Sequence, residues 1–200
     1  EYADHSPAGA EAIADVARRA LTRIEAAVPV DDVDRVTKLD LTRDLTLSIA
    51  KHEAGFGQRD LNVIASPAQE LREIFDLMPT GSADDWSVIA TRLGNVAGAV
   101  DGYIETLRAG IAAGHVPARR QVSEVAQQAR NRGDPLGFFF DFTGGAKLGD
   151  GGDLPAALTS DLRKGAEASA EAYDRLARFL ETELAPAASH RDDADEVDVL

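Results

Sequence analysis

His52-Glu53 is the first half of the His-Glu-x-x-His zinc motif. That motif sets two imidazoles four residues apart on one helical face, with the Glu beside them as general base. The second imidazole would fall at position 56, which is Phe56, so His52 reads as a surface or helix-end histidine. His5, His52, His115 and His190 are far apart, and nothing in their spacing gathers them. Gly144-Gly145-Ala146-Lys147 invites a phosphate-loop reading, but Leu148 stands where that loop needs Ser or Thr. Asp150-Gly151-Gly152-Asp153 fails the calcium-loop template in the same way. No Gly-x-Ser-x-Gly elbow supports a hydrolase triad.

Two constellations remain. Arg119-Arg120 follows Pro117 at the start of a helix, where paired guanidiniums and the helix N-terminus can together hold a carboxylate. The competing reading is a solvated face or a structural ion pair. Phe138, Phe139, Phe140 and Phe142 are a majority of the chain's 7 Phe. They read as an apolar plug, for core or inter-domain packing first and a ligand pocket second.

The elements that would position these residues are helices. Leu61–Val96 organises the reading, because it carries two helix starts. Ser66-Pro67 with Gln69 forms a capping box, and Leu71, Ile74, Phe75 and Met78 then mark one apolar face. Ser82, Asp84 and Asp85 open the next helix, with Trp86, Ile89, Ala90 and Leu93 inward. Upstream, Ser6-Pro7 starts a helix with the stripe Ile13, Ala17, Ala20, Ile24 and Val28. Asp31 and Asp32 start a second, running to about Ala54, whose apolar arc is broad enough to predict a central place in a bundle.

Downstream, Gly94 and Gly98 suggest a kink or a close helix contact, and Gly114 suggests a C-cap. Val116-Pro117 opens another helix with Val122, Val125, Ala126 and Ala129 inward. The glycine-rich segment 133–153 reads as one long irregular loop. Leu158 to Leu184 is the seam of a long final helix. The expected fold is therefore all-α, a multi-helix bundle of about six or seven helices, several pairing antiparallel, with one long Gly/Phe-rich loop across one end. Residues 1–190 would form the helical domain, and 191–200 an acidic connector to a missing C-terminal region.

Composition narrows the function. The chain carries 35 Asp+Glu against 21 Lys+Arg, a net charge of -14. That argues against nucleic acid and anionic membranes as partners. With 0 Cys there is no disulfide framework and no thiolate metal site, which fits a cytoplasmic protein. No apolar run approaches the ~20 residues of a membrane span. The opening at Glu1 and the acidic end suggest a piece of a longer protein.

The segments LNVIASPAQELREIFDLMPT, DDWSVIATRL and GYIETLRAGIAAGHVPARRQV resemble the bacterial family catalogued as domain of unknown function 885. SPAQELREIFDLMPT and GHVPARRQV carry most of the likeness. Members are similar to zinc metallopeptidases of the gluzincin type, largely helical and longer than this chain. Their His-Glu-x-x-His helix lies in the C-terminal half and matches no position here. The resemblance implies a non-catalytic N-terminal helical region that shapes the substrate cleft. Catalytic residues, metal ligands and cofactor would be absent from this chain, with zinc expected in the full-length parent. Its partners would be the missing C-terminal catalytic region and a peptide substrate. A stand-alone helical binding module is the alternative.

Overall fold

The computed structural model describes residues 2–188, so His190 and the acidic connector lie outside the described residues. The helices are α1 (Pro7–Ala26), α2 (Asp32–Glu53), α3 (Pro67–Glu73), α4 (Ala83–Ala113), α5 (Arg119–Gly133), α6 (Phe138–Gly144) and α7 (Ala156–Phe179). Short 3-10 turns follow α2 and α3, and α7 runs on through a π turn at Leu180–Leu184. Helix accounts for 76%, and no strand occurs among the described residues, so the fold is an all-α bundle. No described helix is long and apolar enough to cross a membrane.

Local chemistry sets the boundaries. Ser6 accepts from the Gly9 N–H and Asp31 from the Asp34 N–H, capping α1 and α2. At α4, the Ser82 hydroxyl accepts from Asp85 N–H at 3.1 Å and the Asp85 carboxylate accepts from Ser82 N–H at 2.9 Å, a reciprocal box. Gly114 ends α4 at φ 79°, a left-handed conformation that suits glycine.

The bundle is built around α7, which lies between α4 and α5. Three contacts fix its direction against α4. Ser169 donates to the Leu93 carbonyl, Arg175 reaches Asp101, and Arg108 reaches Glu183, so sequence separation stays at 76, 74 and 75. A constant separation means parallel helices. The return path is α5, whose Arg130 pairs with Glu181 while Gly133 lies against the Ala170 carbonyl. Position rises on one helix as it falls on the other, so α5 and α7 are antiparallel. Close approach of α4 and α7 depends on small residues. Gly165, Ala166, Ser169 and Ala170 are all buried, and a Cβ on Gly165 would stand 2.7 Å from Leu93 Cβ.

Four expectations need correction. α2 is not central: it buries no residue, and it packs antiparallel on α1 at the edge of the bundle. Its arc is broad because apolar residues occupy the outer side as well as the side facing α1. Of the stripe expected on the first helix, Ile13 is exposed and Val28 lies exposed beyond the end of α1, while Ala14 and Ala17 are buried. Gly94 and Gly98 make no close helix contact, since a Cβ there would meet nothing, whereas Gly165 comes close to Leu93 of α4 and Gly133 to Ala170 and Asp174 of α7. The segment 133–153 is not wholly irregular, because α6 forms inside it.

Candidate functional site

The aromatic plug is built by α6. Gly137 precedes it in an extended conformation, with its N–H on the Asp134 carbonyl at 2.8 Å. A side chain at Gly137 would run into the carbonyls of Asn131 and Asp134, which is why the turn out of α5 can be so tight. One turn later the four phenylalanines divide. Phe139 is fully buried, edge-on to Phe75 with centroids 6.2 Å apart and 5.4 Å from Tyr173. Phe138 and Phe142, four apart on one face, stack at 5.3 Å, and Phe142 meets Trp86 at 5.4 Å. Phe138, Phe140 and Phe142 remain half-buried.

Two arginines frame this cluster. The Arg72 guanidinium lies 3.9 Å over the Phe138 ring and pairs with Asp76. Arg132 is mostly buried and donates to the Ala68 carbonyl at 2.8 Å. Burial lowers its pKa, and the nearby Arg72 adds to that. Tyr173 donates to the same Ala68 carbonyl at 2.8 Å, and burial pushes its phenol pKa up. The Ala68 carbonyl thus ties α3 to α5 and α7 beneath the aromatic layer.

Arg119 and Arg120 are exposed on the first turn of α5, whose N-cap Ala118 offers no side-chain cap. The 15 residues of α5 rise roughly 22 Å. The arginine pair and the aromatic cluster therefore stand at opposite ends of α5 and do not form one pocket. The sequence puts the arginines on the first turn of a helix but reads the phenylalanines as loop, and it could not give that separation.

It also missed a groove of about 600 Å³ between α4 and α7, lined by Asp101, Glu105, Arg108, Arg175 and Glu183 among others. Arg108 engages Glu183 with two hydrogen bonds, at 2.9 and 2.8 Å, and Arg175 engages Asp101 at 3.0 Å. These pairs raise the Arg108 pKa and lower that of Glu183, as mutual hydrogen bonding between opposite charges must. Charges at three- and four-residue spacing on both helices were the available signal. The cations are already matched by carboxylates, so the groove presents no net anion site.

A zinc centre does not fit the described residues. His52 Nε2 lies 2.8 Å from Glu11, His115 Nδ1 lies 2.8 Å from Gln58, and His5 packs edge-on against Tyr103. Among the described residues no group of three His, Asp or Glu side chains could hold a metal ion. Lys147 pairs with Asp153 at 2.5 Å, and Asp150 accepts from the Gly152 N–H. The would-be phosphate and calcium residues are thus occupied with one another.

No curated protein matches the chain. Compared with known protein families, residues 1–197 match the one described as "Bacterial protein of unknown function (DUF885)". The match spans every described helix, and the chain belongs to the DUF885 family.

Proposed function

We propose that this chain is the N-terminal helical region of a zinc-dependent metallopeptidase and forms one wall of its substrate cleft. Membership of the family over residues 1–197 is the observation that carries the reading. The resemblance of that family to gluzincin-type peptidases supplies the activity. The zinc would be held by a region C-terminal to this chain, where it would polarise the scissile carbonyl and activate water.

The residues of this chain would bind and position. Phe138, Phe140 and Phe142 keep apolar surface exposed on α6, the kind of surface a docked catalytic region covers. Arg119 and Arg120, exposed on the first turn of α5, would take the terminal carboxylate of a peptide. Arg119→Ala in the longer enzyme is then expected to raise KM about ten- to a hundredfold for peptides with free C-termini, the loss of one charge-assisted hydrogen bond. Amidated peptides should change far less. An equal effect on both peptide classes removes Arg119 from the substrate site.

Metal analysis tests the division of labour. The longer protein is expected to hold about one zinc per chain, since such a centre needs three protein ligands. Residues 1–200 alone should hold none and hydrolyse no peptide. One tightly held equivalent on residues 1–200 would overturn the proposal.

A further inference from the structure

The outer face of α2 is exposed, with apolar residues at regular spacing on either side of a charged centre. Val33, Val36, Asp40, Arg43, Leu47 and Ala50 follow steps of three and four, the a and d positions of a heptad. All six are exposed, with Val33 at 71%, Val36 at 60% and Leu47 at 49%. The opposite face carries Lys38, Leu45, Ile49 and His52, which are half-buried on the α1 side. So α2 has two seams, and α1 covers only one.

Asp40 and Arg43 sit in the middle of the uncovered seam. Residues three apart on a helix can pair, and Asp32 and Arg35 do so two turns earlier. Yet neither Asp40 nor Arg43 makes an ion pair among the described residues. A seam of Val, Val, Asp, Arg, Leu, Ala is self-complementary when reversed. Lay a second α2 antiparallel across it, with the two-fold axis between positions 41 and 42. Each a position then meets a d position. Asp40 faces Arg43 of the partner subunit, and Val36 faces the partner's Leu47. Val33 faces the partner's Ala50. Every polar residue of the seam meets its opposite charge, and every apolar residue meets an apolar one.

We propose that this face of α2 is a self-association surface, on which α2 of a second copy packs antiparallel to join two α1–α2 hairpins across a two-fold axis. The contact is isologous, so it closes at the dimer. The central Asp–Arg pairs set the register and the direction, as polar residues at core heptad positions do. The inference does not depend on the peptidase reading.

Sedimentation of the 200-residue chain tests it, with concentration-dependent dimerisation expected. Asp40→Arg and Arg43→Asp, made singly, each set like charges face to face and should give monomers with unchanged circular dichroism. The double variant restores opposite charges and should dimerise again. Cysteine cross-linking reads the direction, because the chain has 0 Cys. Val36→Cys mixed with Leu47→Cys should yield a disulfide-linked pair, while either alone should not. Within one chain the two positions are roughly 16 Å apart, beyond the reach of a disulfide. A chain that stays monomeric overturns the proposal, and so does a dimer indifferent to the charge changes. Efficient cross-linking of Val36→Cys to itself overturns the antiparallel arrangement. Protection of α2 only in a longer protein, with residues 1–200 monomeric, would give the face to another segment.

Discussion

α7 and α2 are close in length, 24 and 22 residues, and differ in what holds them. α7 buries ten residues, including Leu162, Tyr173, Leu176 and Phe179, while α2 buries none. Their apolar residues are distributed differently. On α7 they fall on one side, and Gly165, Ala166 and Ser169 among them let α4 approach closely. On α2 they run round the helix, so α1 can cover only part of them. A helix gains little tertiary stability from apolar residues that face water. The hairpin should therefore behave as an arm whose stability is local, and the α4–α5–α7 bundle as the cooperative unit.

The largest effect should come from the centre of the bundle. Phe139→Ala removes a fully buried ring packed on Phe75 and Tyr173, and should cost about 3–5 kcal/mol in urea unfolding. Val36→Ala on the outer face of α2 should leave the midpoint of the bundle unmoved. Gly165→Ala comes next, because its new methyl would press on Leu93 Cβ, and overpacking of this kind costs about 1–3 kcal/mol.

Alkaline pH should also act on the bundle. Burial raises the phenol pKa of Tyr103 on α4 and Tyr173 on α7 above the ordinary 10.0, in Tyr103 with the help of the Asp60 charge. The unfolded chain releases these protons near pH 10, and the folded chain keeps them. Proton release then favours the unfolded state, so stability is intact below pH 10 and falls above it. The slope is up to about 1.4 kcal/mol per pH unit for each tyrosine. Tyrosinate absorbance should rise together with the loss of helical circular dichroism, not before it.

The smallest effects compare two caps. Ser82→Ala removes the N-cap of α4 and should lower global stability by about 1 kcal/mol. Asp31→Ala removes the equivalent cap of α2. It should leave the global transition in place and speed amide exchange in the hairpin alone.

What was legible in the sequence was local. Ser66 with Gln69, Ser82 with Asp85, Asp31 and Gly114 each act within a few residues, and each does so in the fold. What was not legible depends on partners distant in the chain. Which glycine admits a neighbouring helix is decided by α4 meeting α7, so Gly165 carries the close contact and Gly94 carries none. The breadth of the apolar arc on α2 looked like burial because sequence cannot say how many sides are covered. The helix α6 was hidden by its flanking glycines, and its phenylalanines fold back on Phe75 and Trp86 of distant segments. Arg119 and Arg120 were placed on the right turn of the right helix. Their distance from the aromatic cluster needed the length of α5.

Hydrogen exchange over the whole chain, at low and at high concentration, tests this division most directly. Amides of α4 and α7 should exchange slowest and independently of concentration, through global opening only. Amides of α2 should exchange orders of magnitude faster in dilute solution and gain protection as concentration rises. Protection of α2 equal to that of α4 in dilute solution would contradict the division, because it would mean that the hairpin opens only when the bundle does.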